Sequence, residues 1–224
     1  MAVKKNDFIE IEFTGKIKDT DEIFDTNIKA DAKNTDLNLD VEKLKPFIMS
    51  IGNKMLPEGF DNNLEGKQIG KKYTIEISPE KAFGKRNSQL IRMVPLKIFN
   101  EQKINPQRGM QLNLGGQLAR VLSASGGRIL VDFNNPLAGK AVTYNFKILK
   151  KIDNQDQRIN ALQDFLFRKK FPFTEKEKTI TFQLKEDEKQ LEKLIEMMAP
   201  QFKEILGMKI KTEVKKSKQP AAKK

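Results

Sequence analysis

The sequence predicts an α+β protein built from more than one unit, and three observations carry that reading. Residues 7–84 read as short strands around one helix-sized apolar face. Residues 85–133 are punctuated by Gly or Pro every eight to twelve residues, and after residue 152 the apolar spacing becomes helical. At 224 residues the chain also exceeds the common size of one domain.

Taken in order, DFIEIEF (7–13) sets Phe8, Ile9, Ile11 and Phe13 against Asp7, Glu10 and Glu12, close to the period of two of a half-buried strand. Thr14-Gly15 follows, and then a second extended stretch that ends at Phe24-Asp25. Residues 29–44 are polar, with helical and loop character. PFIMSIG (46–52) is a strand with Pro46 at its start, where a missing N–H is tolerated. In MLPEGFDNNLEG (55–66), Leu56, Phe60 and Leu64 fall four apart on one helical face; Pro57 suits a first turn and Gly66 a stop. KKYTIEISPE (71–80) alternates again, with Tyr73, Ile75 and Ile77 on one side.

Past Gly84, LARVLSA and RILVDF flank Ser-Gly-Gly, a hairpin signal. A unit this small buries only part of its large apolar side chains, and exposed apolar surface marks a binding face. Ile91, Met93, Val94, Leu96, Phe99, Met110 and Leu112 are the candidates for that face, shared with the unit's own core. After Ile152, Ile159, Leu162 and Leu166 form one helical stripe, and KTITFQL (178–184) alternates. Leu191, Leu194, Ile195, Met198, Phe202 and Ile205 form a second stripe, which Pro200 should kink or divide. MKIKTEV (208–214) alternates against lysines, so the last third reads as helix–strand–helix–strand.

Composition narrows the chemistry. With no Cys and no His, thiolate sites, disulfides and His-based triads are excluded. Fifteen Phe against two Tyr and no Trp make the aromatic content almost purely apolar. DTDEIFD (19–25) spaces carboxylates like a calcium loop, but Phe24 stands at the required glycine and Ala30 at the bidentate glutamate. The Gly-Lys pairs lack phosphate-loop spacing, so no metal, nucleotide or nucleophile site is expected. No window approaches the roughly 18 apolar residues of a membrane span, and the chain is expected in the cytoplasm. Net charge is +12, and seven lysines against one glutamate from Gly207 onward put half of the excess at the end. Such a tail reads as disordered and solubilising, with contact to ribosomal RNA as the sharper alternative.

Four pieces in this order carry a resemblance: FTG with IFD (13–15, 23–25), PFIMSIGNKMLPEGFDNNLEG (46–66), ISPEKAFG (77–84) and TYNFKILKKI (143–152). Together they resemble an FKBP-type peptidyl-prolyl cis-trans isomerase. About fifty residues stand between SPEKAFG and the last strand, ending in NNPLAGK. That arrangement is similar to the SlyD-like subgroup, with an insert-in-flap chaperone domain at this position. The extra C-terminal residues are similar to long archaeal members.

The resemblance implies an FKBP-like antiparallel sheet wrapped on a short helix, a small β-rich inserted domain and a C-terminal α+β domain. The expected map is an isomerase domain over 1–84 and 134–152, an insert over 85–133, a C-terminal domain over 153–214 and a basic tail over 215–224. It also implies roles. Phe60 would floor a pocket walled by Phe24, Phe47, Phe83 and Tyr144, with Asp25 polarising it, Phe13, Leu56 and Pro57 lining it, and the Leu56 N–H meeting a substrate carbonyl. On periodicity alone Phe13, Phe47 and Phe60 read as core, and Asp25 as a loop carboxylate facing water. Phe13 and Phe83 stand where the family often has Tyr, which implies weak macrolide binding. No cofactor is implied. The implied partners are unfolded or nascent chains and proline-containing peptides; a homodimer through the C-terminal domain and ribosome contact through the tail are further expectations. A non-catalytic holding chaperone and a ribosome-associated factor are the alternatives.

Overall fold

The computed structural model describes residues 1–35 and 37–215. The strands are β1 (Phe8–Ile17), β2 (Ile23–Thr26), β3 (Phe47–Ser50), β4 (Lys72–Ile77), β5 (Ile91–Pro95), β6 (Gln111–Leu114), β7 (Gln117–Ser125), β8 (Arg128–Asp132), β9 (Val142–Lys151), β10 (Phe173–Lys176), β11 (Thr179–Lys185) and β12 (Lys209–Lys215). The helices are α1 (Lys29–Ala32), α2 (Glu58–Asp61), α3 (Leu96–Glu101), α4 (Gln155–Phe167), α5 (Glu192–Met197) and α6 (Ala199–Leu206). They form an α+β protein with three sheets: β2-β1-β9-β4 with β3 also on β1, β5-β8-β7-β6, and β10-β11-β12. The chain groups into two compact units, one of residues 1–14, 25–74 and 145 onward, the other of residues 15–24 and 75–144. Apart from Lys215, the last residue of β12, the expected basic tail lies outside the described residues.

In the first unit, β1 and β3 pair antiparallel from Phe8↔Ser50 to Ile11↔Phe47. Alternation puts Ile9, Ile11 and Phe13 on one face of β1 and all three are buried. Phe8 shares the other face with Glu10 and Glu12, yet it too is buried. Its partners come from far along the chain: Ile152, Ala161 of α4, and Ile205 and Leu206 at the end of α6. The Arg158 guanidinium lies 5.7 Å from the Phe8 ring and its Nε donates to the Ile152 carbonyl at 2.8 Å. The helix expected around Phe60 is a single turn, α2, with Pro57 just before it; Phe60 and Leu64 are nonetheless fully buried.

The C-terminal residues have a core of their own, including Ile159, Leu162, Phe171, Phe182, Ile195 and Phe202. Pro200 sits in the first turn of α6, and Met198 separates α5 from α6, as a proline that cannot continue a helix requires. From the second stripe Leu194 remains exposed, and so does Met197 beside it. One strand escaped the sequence reading. β10 pairs antiparallel with β11 through a turn at Glu177-Lys178, both at positive φ, residue types that give no turn signal. β12 then runs parallel to β11, so α5 and α6 form the crossover that parallel pairing demands.

In the second unit, β7 and β8 meet at Ser125↔Arg128 across Gly126-Gly127, at φ +56 and +74. That is the two-residue turn in which both central residues need positive φ. Phe99 corrects one expectation: it is fully buried, at the centre of a core with Leu114, Ala119, Val121, Ile129 and Val131. The one-and-a-half turns of α3 aim it inward, so it belongs to the core and not to a binding face. Val94, Leu96 and Leu112 pack partly against the same core. Met93 and Met110 are exposed, together with Ile98 and Leu118. The two chain crossings at the base of this sheet are bonded to each other. Asn134 accepts from Asn87 N–H (2.8 Å) and donates to the Asn87 carbonyl (2.9 Å), and Gly139 N–H donates to the Gly84 carbonyl (2.8 Å).

Phe8→Ala removes the ring that joins β1 to α4 and α6. Urea unfolding should show a loss of about 3–5 kcal/mol, the usual size for a buried phenylalanine.

Candidate active site

The site residues fall into two clusters, one in each unit. In the second, Gly15 on β1 leaves room for two rings: a Cβ there would lie 2.7 Å from Phe24 Cζ and 2.8 Å from Tyr144 Cε1. Phe24 therefore sits against the bare backbone and meets Tyr144 edge-on, with ring centroids 5.6 Å apart. Phe83 meets Phe24 in the same way at 5.5 Å. Tyr144 is buried, whereas Phe24 and Phe83 each keep part of their surface open. The turn Ser78–Gly84 fixes Phe83: Ala82 N–H donates to the Ser78 carbonyl at 3.0 Å and Gly84 N–H to the Pro79 carbonyl at 2.7 Å.

In the first unit, Phe13 packs on Phe60 at 6.0 Å, and Phe60 on Phe146 at 5.0 Å. Leu56 and Pro57 are half-buried on the loop before α2. Asp61, buried at the end of α2, holds that loop by accepting Gly52 N–H and Lys54 N–H, both at 2.8 Å. The Leu56 N–H has no partner among the described residues. Phe47, placed by resemblance on a pocket wall, lines a groove with Ala161 and Asn160 of α4.

Asp25 follows Phe24 on β2, so the two side chains leave opposite faces of the strand. The next residues pin it in place. Thr26 Oγ1 donates to the Phe13 carbonyl (3.1 Å), Asn27 Oδ1 accepts from Phe13 N–H (2.8 Å) and Asn27 Nδ2 donates to the Ile11 carbonyl (2.9 Å). Thr14 Oγ1 also donates to Asp31 Oδ2. Protein atoms massed around the Asp25 carboxyl push its pKa up, and the Thr26 N–H pulls the other way. The residue keeps open surface, so water screens the group and its effect on stability is small. Sequence reasoning missed Gly15, Asn27 and Asp61, which act by a close approach or by bonds to backbone and carry no motif of their own. No group of three or more Asp or Glu among the described residues is placed to hold a metal.

The profile of the FKBP-type peptidyl-prolyl cis-trans isomerases matches residues 1–97. A short-type peptidyl-prolyl cis-trans isomerase of Methanocaldococcus jannaschii is 29% identical over 146 residues, 65% of this chain and 92% of that protein. The FKBP-type 16 kDa peptidyl-prolyl cis-trans isomerase of Escherichia coli is 31% identical over 110 residues, 47% of this chain and 74% of that protein.

The chain belongs to the FKBP-type peptidyl-prolyl cis-trans isomerase family.

This FKBP-type isomerase also matches the profile described as FKBP26, IF domain, over residues 92–137. It is 30% identical over 101 residues to the FKBP-type peptidyl-prolyl cis-trans isomerase SlyD of Vibrio cholerae, spanning half of that protein's length. No helix among the described residues is long and apolar enough to cross a membrane.

Because folding raises the Asp25 carboxyl above its unfolded value, ionising it opposes folding. The penalty is absent below the unfolded pKa and sets in as pH rises through the folded one. Asp25→Asn should therefore gain stability relative to the wild type between about pH 3 and pH 7. Urea midpoints of the two proteins across that range check the sign; a gap that stays constant contradicts it.

Proposed function

We propose that this FKBP-type isomerase acts on unfolded chains, held on residues 85–133 while their X-Pro bonds rotate at Phe24, Phe83, Tyr144 and the residues grouped with them by resemblance. Rotation of an X-Pro bond is slow because it breaks amide resonance, a barrier of roughly 18–20 kcal/mol. No bond to the substrate is made or broken, so a chain without His or Cys is equipped for the task. What it must do is bind the twisted amide better than either planar form, and each tenfold in rate needs about 1.4 kcal/mol of that preference. The twisted amide has less charge separation than the planar one and gains in an apolar surround.

The observation that carries the proposal is the edge-on trio of Phe24, Phe83 and Tyr144, fixed by Gly15 and by the Ser78–Gly84 turn and open on two of its rings. By resemblance, Phe60 is assigned to the floor, Phe47 to a wall, and Phe13, Leu56 and Pro57 to the lining. The unpartnered Leu56 N–H supplies a donor for a substrate carbonyl, and Asp25 orients that carbonyl through its field. In the same reading, residues 1–84 with 134–152 form the isomerase domain, 85–133 the inserted domain and 153–214 a C-terminal domain. Met93, Ile98, Met110 and Leu118, all exposed, support the holding role. Of the residues expected on this face, Met93 and Met110 are exposed, Ile91, Val94, Leu96 and Leu112 are half-buried and Phe99 is buried, so Ile98 and Leu118 join the assignment.

Holding a chain beside the site raises the local concentration of its prolines. Replacing residues 88–133 by a Gly-Gly turn, across the Asn87–Asn134 bonds, is expected to leave turnover of a short proline peptide intact. Catalysis of a proline-limited refolding reaction should fall by about a hundredfold. Unchanged refolding catalysis would overturn the holding role, and loss of peptide turnover in the folded variant would overturn the division of labour.

A further inference from the structure

Residues 85–133 carry eight lysines and arginines against two carboxylates, and this net of +6 is half of the whole chain's +12. A surface that held apolar segments alone would gain nothing from such a charge, which repels basic segments and attracts acidic ones. The exposed apolar side chains Met93, Ile98, Met110 and Leu118 are set within this basic stretch.

Both features converge in a cavity of about 260 Å3 in the second unit, large enough for one or two side chains. Leu118 and Arg120 lie two apart on β7, on one face and both exposed, and both line the cavity. Arg86 and Lys140 enter from the base of the sheet. One carboxylate is present, Asp132, and it is already committed. It accepts from Arg86 Nε and Nη2 at 3.0 and 2.6 Å, and from the Asn134 backbone and side-chain amides at 2.9 and 2.6 Å. Burial alone would raise the Asp132 pKa, but the bonds from Asn134 and Arg86 outweigh it and hold the group ionised. That leaves the charges of Arg120 and Lys140, which form no ion pair among the described residues.

Resting on the reading of residues 85–133 as the client-holding part, we propose that this cavity receives a carboxylate of the held chain. The occupant is an Asp or Glu side chain, seated on Arg120 and Lys140 with a neighbouring aliphatic residue on Leu118. The inserted residues would then favour unfolded segments that mix acidic and aliphatic residues. A single-stranded nucleic acid fits less well, because it needs open aromatic faces on which to stack. The aromatics of residues 85–133 are Phe99 and Phe133, the first fully buried and the second packed against the same core.

The test uses the full chain and three unstructured, proline-free peptides that share their aliphatic residues and carry Glu, Gln or Lys between them, read by fluorescence anisotropy at low salt. The Glu peptide should bind about tenfold tighter than the Gln peptide, and the Lys peptide weakest, with the gap shrinking as salt rises. Arg120→Gln with Lys140→Gln should erase the Glu-over-Gln gap while keeping affinity for the Gln peptide; Arg120→Lys with Lys140→Arg should retain it. Thermal melts establish that both variants are folded. Equal binding of Glu and Gln peptides to the wild type overturns the proposal and leaves the holding role standing. Failure of all three peptides to bind sinks the holding role, and the proposal with it. A single-stranded RNA that binds more tightly than the Glu peptide and depends on the same two residues would assign the cavity to nucleic acid instead.

Discussion

Gly15 has no side chain, and two aromatic rings occupy the space one would fill. That close approach brings Phe24 down onto β1 and sets it edge-on to Tyr144, and through Phe24 it sets Phe83 as well. φ at Gly15 is not positive, so it is space and not backbone freedom that requires glycine there. Elsewhere the fold serves to keep that arrangement fixed. The Ser78–Gly84 turn anchors Phe83, and Gly84 is tied to Gly139 at the return of the chain. In the other unit, Thr26 and Asn27 lock β2 onto β1 immediately after Asp25.

The chemistry explains why so few polar groups are involved. A rotation about one bond needs a surface shaped for the twisted amide, and in the proposed reading the edge-to-face rings supply it. Each aromatic pair contributes about 0.5–1.5 kcal/mol beyond its burial, enough to hold rings in place without hydroxyl partners. This is consistent with Phe at positions 13 and 83. Other polar side chains act on the backbone: Asp61 fixes the loop that carries Leu56, and Asn134 ties the two crossings at the base of the β5-β8-β7-β6 sheet.

Much of this was legible in the sequence because its signals were local. Alternation placed β1, β4 and β11, the apolar run opened by Pro46 placed β3, Ser-Gly-Gly placed the β7–β8 turn, and Pro200 placed the break between α5 and α6. What escaped depended on residues distant in sequence or on single contacts. Phe8 read as one end of a half-buried strand, and nothing near it announces Ala161, Ile205 or Leu206 as neighbours. Phe99 was grouped with exposed residues because one short helix decides which way it points. β10 was missed because Phe-Thr-Glu-Lys alternates too weakly and Glu177-Lys178 is not a turn dipeptide. The proposed aromatic site residues came from resemblance; by periodicity alone Phe13, Phe47 and Phe60 read as core.

On the proposed reading, ring placement over Gly15 sets the rate of isomerisation. The direct measurement is kcat/KM on a short proline peptide for Gly15→Ala beside its urea midpoint. A Cβ at residue 15 must displace Phe24 or Tyr144, so the account predicts a loss of at least about tenfold, or about 1.4 kcal/mol of transition-state binding, in a folded protein. A folded variant with the wild-type rate would contradict it.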